Sequence, residues 1–247
     1  MKPELIKPEM VIFDYGHTLI YEPRFNRIGG YEAVLNHAVK NPRGVDAGRM
    51  AELYHKHIDE LSDAAARLDI DMMALNKSRL IYEYLGLEFD LSPVELERIF
   101  WDNAGPGSPM PNIERLLEFL SAKNIRSGVI SNISFCGENL SERINRLIPC
   151  NRFEFIMASC EYLVRKPHKI IFQTALNKAG LSPDKVWFCG DNRRVDIIGA
   201  AGAGIFPVWY DSGMDCQYRS ERDEIELDCE HLRIHDWLEL IDILKKI

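Results

Sequence analysis

Residues 10–20 read MVIFDYGHTLI. Four apolar residues, Met10, Val11, Ile12 and Phe13, run without polar alternation into Asp14. That pattern predicts a short strand buried on both faces. An aspartate at the end of such a strand lies at the carboxyl edge of a parallel sheet, where open α/β folds place their ligands. Gly16 permits a tight turn there, and Thr18 offers a hydroxyl to a neighbouring carboxylate. Taken alone, the stretch reads as well as an aspartate that caps the next turn.

Three later stretches change that reading. From Pro111 onward helix and strand patterns alternate. Ile113, Leu116, Leu117 and Leu120 mark one helix face. Residues 127–130 (SGVI) predict a strand ending in Ser131-Asn132, and a helix follows over about 138–147. A strand over 153–158 leads to Arg165-Lys166-Pro167 and a helix bearing Phe172, Ala175, Leu176 and Ala179. Val186-Trp187-Phe188-Cys189 is a strand ending in Gly190-Asp191, followed by a small-residue helix over 196–203 and a strand over 205–209. The chain closes on a helix striped by Trp237, Leu240, Ile241 and Leu244, after a polar stretch, 210–230, that carries no clear pattern. Repeated βα units predict a parallel sheet covered on both faces. The expected fold class is α/β, a doubly wound, Rossmann-like core.

Between the first strand and Pro111 the pattern is helical. Asp46 caps a helix with a stripe of Met50, Leu53, Tyr54, His57, Leu61, Ala64, Ala65 and Leu68. His57 is expected to pack on that stripe and His55 to face solvent. A second helix ends at Gly86, and Ser92-Pro93-Val94-Glu95 forms a capping box for a third. Gly105-Pro106-Gly107-Ser108-Pro109 then breaks the pattern, as at a domain boundary. The expected division is a core of residues 1–20 and 109–247 with a helical cap over 21–108.

Composition narrows the function classes. The chain has 247 residues, 46% hydrophobic and 28% charged, with a net charge of −8 and no basic block. That argues against nucleic acid as a partner, since phosphate-backbone binding needs a basic surface. No run approaches the ~18 apolar residues of a membrane span, and MKPELIKPEM lacks a signal-peptide core. The six cysteines show no CxxC spacing, so reduced thiols and a cytoplasmic location are expected rather than a zinc site.

Asp14, Ser131-Asn132 and Asp191 all follow core strands, and strand ends of one parallel sheet converge. With Lys166 they form four motifs in order: FDYGHTL (13–19), VISN (129–132), RKP (165–167) and GDNRRVD (190–196). In this combination the chain resembles the haloacid dehalogenase superfamily, most closely its phosphatase-like members with a helical cap after the first strand. The resemblance implies a carboxylate nucleophile, Asp14, that takes a phosphoryl group from a small phosphorylated molecule. It implies Mg²⁺ held by Asp14, the Gly16 carbonyl and Asp191, with Asp196 supporting the site. Lys166 would screen Asp14, and Ser131 and the Asn132 amide would bind the phosphoryl oxygens. Arg24 and Arg27, in the loop toward the cap, are candidates for contacting substrate anions.

One position departs from the family pattern. Phosphatase members carry a second aspartate two residues after the nucleophile, a general acid/base worth roughly 10²–10⁴-fold in rate. Here that position is Gly16. Three readings stay open. His17 or a cap residue supplies the proton, or the leaving group needs little help. The chemistry is instead that of a phosphonatase, using a cap lysine such as Lys56 or Lys77, or of a dehalogenase. Or the protein is a catalytically weak binder of a phosphorylated ligand or of another protein.

Overall fold

The computed structural model describes residues 5–217 and 225–247. Strand β1 (Met10–Phe13) is buried on both faces, as its apolar run requires. The chain then reverses. It forms β2 (Ile20–Tyr21), and a helical region begins with α1 (Arg27–Leu35) and a short exposed strand, β3 (Ala38–Lys40). Helix α2 (Ala47–Tyr54) starts on an Asp46 cap and continues through a π-turn, His55–Asp59, into α3 (Glu60–Arg67). Helix α4 (Ala74–Leu85) stops where Gly86 turns left-handed, at φ +72°. After β4 (Glu88–Phe89), helix α5 (Pro93–Ala104) begins on the Ser92–Glu95 capping box. Strand β5 (Ser108–Pro109) pairs antiparallel with β2, so the two strands joining this insertion to the core lie side by side.

The remaining chain is the alternating core. It comprises α6 (Ile113–Ala122), β6 (Arg126–Ser131), α7 (Gly137–Leu147), β7 (Ile156–Ala158), α8 (Lys169–Ala179) and β8 (Val186–Gly190). A π-turned segment, Arg193–Ile198, runs into α9 (Gly199–Gly202), followed by β9 (Phe206–Tyr210), β10 (Leu232–Ile234) and α10 (Trp237–Leu244). Among the described residues one six-stranded parallel sheet results, in the order β10-β9-β8-β1-β6-β7. Both neighbours of β1 come from beyond the insertion, so the strand order reverses at the centre of the sheet.

Alternation along β1 divides the core. Val11 and Phe13 pack with Leu116, Leu140, Ile144 and Trp237 on the α6/α7/α10 side. Met10 and Ile12 pack with Ile171, Phe172 and Phe188 on the α8/α9 side. Each fully buried side chain of this size contributes about 1.5–3 kcal/mol. The inserted region has its own apolar cluster, built from Tyr31, Met50, Leu53, Ile58, Ile81 and Leu96.

Three expectations change. The stripe predicted through α2 and α3 breaks at the π-turn. Its extra residue per turn shifts the register, so Ile58 is buried while His57, Leu61 and Leu68 are exposed. The segment after Asp191 turns earlier than predicted, from Arg193. Strand β10 lies inside the otherwise unpatterned tail and completes the sheet edge; residues 218–224 of that tail lie outside the described residues. No helix among the described residues is long and apolar enough to cross a membrane.

Candidate active site

The motifs converge where the strand order reverses. Asp14 follows β1, Ser131 ends β6, and Asp191 follows β8. Together with Lys166 and Asp196 they line one cavity of about 460 Å³.

Lys166 is the centre of the cluster. Its side chain is fully buried, and Nζ donates to Asp14 Oδ1 and to Asp196 Oδ1, both at 2.6 Å. The ammonium also lies over the Phe188 ring, 5.1 Å from its centroid. Burial by itself lowers a lysine pKa, but the two carboxylates outweigh it and hold Lys166 above its ordinary value. Burial pushes the Asp196 carboxyl up to about 7 against the pull of Lys166, and the Asp14 and Asp191 charges add to the rise. An uncompensated charge here would be costly, so the group stands as a unit.

Backbone contacts fix its geometry. Asn132 Nδ2 donates to the Lys166 carbonyl and the Lys166 amide donates to Asn132 Oδ1, each at 2.8 Å. The Asn132 side chain is thereby committed to Lys166. Asn192 Oδ1 caps the turn by accepting from the Arg194 and Val195 amides, and the Asn192 amide donates to Asp196 Oδ2 at 3.0 Å. Gly190 lets Asp196 approach: a Cβ there would stand 2.4–2.5 Å from three Asp196 atoms.

Asp14, Asp191 and Asp196 each present an oxygen within 4.8 Å of the others. Three carboxylates facing one buried ammonium leave an excess of negative charge. Hard oxygen donors of this kind suit a hard divalent cation, so the residues present fit a metal ion.

The other predicted residues divide. Gly16 and His17 line the cavity. His17 has a left-handed backbone, φ +54°, its ring stands edge-on to Tyr21 at 5.5 Å, and both ring nitrogens are buried. Arg27 also lines the cavity, paired with Asp59 at 3.0 Å and stacked on Tyr54 at 4.0 Å. Thr18 and Arg24 are not brought into the cavity wall. Thr18 is fully buried because the chain doubles back, the Leu19 and Ile20 amides both donating to the Tyr15 carbonyl. Arg24 follows Pro23 on the linker surface and is exposed. In the insertion, Lys77 is buried, and burial lowers its pKa, while Lys56 is exposed; neither lines the cavity.

Two features escaped the sequence reading. Arg143, on α7, donates to the Tyr15 hydroxyl at 2.9 Å, to Glu22 at 2.9 Å, to Asp102 at 2.6 Å and to the Gly105 carbonyl. It ties the residue after Asp14 to both linkers of the insertion. Its sequence signal is position: it shares the apolar face of α7 with Leu140 and Ile144. Second, residues 69–74 of the insertion are stitched to the core beside the cavity. The Asp71 amide donates to Leu163, the Arg165 amide to Asp69 and the Ala74 amide to Ser134. This places Asp71 and Arg165 in the cavity wall.

Carboxylates at the strand ends of a parallel α/β core, with a buried lysine beside them, can support covalent catalysis by a carboxylate. The haloacid dehalogenase-like hydrolase family model matches residues 102–209, a little under half of the chain, and that part of the chain is similar to the family. A glyceraldehyde 3-phosphate phosphatase of Methanothermobacter thermautotrophicus is 32% identical over 48% of this chain, a match spanning half of that protein. One from Pyrococcus furiosus is 26% identical over 73% of this chain and 83% of that protein. Among solved structures, a 2-haloacid dehalogenase from Pseudomonas syringae superposes with a TM-score of 0.61 at 20% identity, covering 96% of this chain and 98% of that one. A HAD phosphatase from Thermococcus onnurineus gives 0.57 at 18% identity, covering 95% and 97%. The structural likenesses are of fold.

Proposed function

We propose that the protein is a Mg²⁺-dependent phosphoric monoester hydrolase that acts on a small phosphorylated metabolite through an aspartyl-phosphate on Asp14. The observation that carries this reading is the buried Asp14–Lys166–Asp196 bridge at the switch point of the sheet. Asp14 attacks phosphorus with the oxygen that Lys166 does not hold. Lys166 neutralises the repulsion between carboxylate and phosphate, and Ser131 and the Asn132 amide hold phosphoryl oxygens. Asp14, Asp191, Asp196 and the Gly16 carbonyl would hold Mg²⁺, which supplies charge neutralisation and orientation of the phosphate. Residues 21–108 act as a cap that closes the site from water over a core of 1–20 and 109–247. The phosphatase names of the two sequence relatives support the substrate class. Six cysteines with no CxxC spacing suit a reducing, cytoplasmic setting.

The test is phosphate release from a panel of phosphate esters with Mg²⁺, beside EDTA and Asp14→Asn. Release abolished by EDTA and by the substitution supports the reading. Retention of activity in Asp14→Asn sinks it.

A further inference from the structure

We infer that a second cavity beside the catalytic one is the compartment for the leaving alcohol, and that this alcohol carries a single aromatic ring bearing an O–H or N–H donor. This rests on the hydrolase reading and narrows its substrate class.

The first observation is the compartment itself. A cavity of about 150 Å³ adjoins the catalytic one, and Phe25, Arg27, Ser134 and Phe135 line both. The insertion supplies the rest of its wall: Tyr31, Tyr54, Ala74, Ser78, Glu97 and Phe100. An apolar cavity of this size admits one benzene ring.

The second observation is a chain of rings that joins the two cavities. Trp101, in the catalytic wall, stacks on Phe135 with centroids 4.3 Å apart. Phe135 stands 6.3 Å from Phe100, and Phe100 has Tyr31 at 4.9 Å and Phe25 at 5.9 Å. Tilted rings offer both faces and edges, the surfaces against which another aromatic ring packs better than an aliphatic group of similar area. Arg27, the cation shared by both walls, is already paired with Asp59 and stacked on Tyr54, so it does not call for an anion there.

The third observation is an acceptor in the aromatic wall. Glu97 is buried, 4% exposed, and is the carboxylate of this compartment. Its Oε2 accepts from the Cys136 amide at 2.9 Å and from Asn139 Nδ2 at 2.7 Å. Its Oε1 has no hydrogen-bond partner among the described residues. A buried acceptor left without a partner is costly, and an O–H or N–H on the docked ring supplies one. The phosphate would then lie at Asp14 and the ring beyond Phe25 and Phe135, with the alcohol's carbon chain between them.

The experiment measures kcat/KM for the full chain with Mg²⁺ on ethyl, cyclohexylethyl, phenylethyl and hydroxyphenylethyl phosphates, the last as its meta and para isomers. All are esters of primary alcohols of similar acidity, so the differences report the distal group. The phenyl ester should exceed the ethyl ester at least about 10-fold and the cyclohexyl ester at least about threefold. The better hydroxyphenyl isomer should gain about 10-fold more. Glu97→Gln, which keeps the shape and removes the charge, should cut that hydroxyl gain at least about threefold. Ala74→Phe, which puts a ring of the protein's own into the compartment, should bring the phenyl-to-ethyl ratio to within about threefold of unity. A phenyl ester no better than the ethyl or the cyclohexyl ester in the unmodified protein overturns the inference while leaving the hydrolase reading intact. So does a hydroxyl gain that is absent or that survives in a folded Glu97→Gln, and so does a phenyl preference that survives in a folded Ala74→Phe. Absence of Asp14-dependent release from every ester overturns the hydrolase reading, and the inference with it.

Discussion

The Asn132 side-chain amide and the Lys166 peptide form a closed two-bond clamp, each bond 2.8 Å, across 34 residues of chain. The lysine that bridges Asp14 and Asp196 is thus aimed by a residue at the end of a different strand. Asn132→Ala leaves Lys166 its charge but removes its guide. The expected result is a fall in kcat of about 10²-fold, larger than any change in KM, with a stability loss of about 1–3 kcal/mol. Steady-state kinetics and denaturant unfolding check this. An unchanged kcat with lowered stability would reduce Asn132 to a structural role.

The elevated Asp196 pKa has two opposite consequences. Because its folded value, about 7, lies above the ordinary aspartate value, this carboxyl stabilises the metal-free fold fully only at pH below about 4. That contribution is lost as pH rises through about 7. A divalent cation requires the deprotonated form, so Mg²⁺ affinity should fall as pH drops through about 7. Titration calorimetry across pH 5.5 to 8.5, in several buffers, should show proton release on binding at the acid end. Binding with no pH dependence would contradict the assignment of Asp196 to the cation cluster.

Gly190→Ala tests how closely the β8 end approaches that cluster. The added methyl meets Asp196 at 2.4–2.5 Å, its Cβ among the atoms met, so either the strand backbone or the Asp196 side chain must shift. The expected cost is about 1–3 kcal/mol from overpacking, with Mg²⁺ affinity weakened at least about 10-fold. Thermal shift with and without Mg²⁺ separates the two effects. A variant whose Mg²⁺-induced shift equals that of the unmodified protein would show that Asp196 does not need this approach.

Arg143 offers a test of how the insertion is held to the core. Its buried guanidinium serves Tyr15, Glu22, Asp102 and Gly105 at once. Arg143→Met strands the buried Glu22 carboxylate and should cost about 3–5 kcal/mol. Adding Glu22→Gln should recover part of that loss, because the uncompensated charge is gone. Losses that simply add would mean the two groups are not energetically coupled.

Much of this molecule is legible one residue at a time. The unbroken apolar run into Asp14, the strand-then-polar ends at Ser131 and Asp191, the capping box at Ser92 and the helix stop at Gly86 are local signals. Period, burial and turn chemistry set them within a few neighbours, and they fix the βα alternation and the inserted helical region. Because strand ends of one parallel sheet share an edge, the meeting of Asp14, Ser131, Lys166 and Asp191 follows from the same pattern. The tertiary structure decided what no window of sequence contains. A π-turn moved the buried position from His57 to Ile58. A chain reversal buried Thr18, and the linker left Arg24 in solvent. Arg143 became the hub of a buried network by docking beside a tyrosine 128 residues earlier. Arg165 and Asp71 entered the cavity wall only because the insertion is laced to the core at that point. Side-chain direction and long-range pairing depend on how packed elements settle against one another, and that is a property of the assembled core.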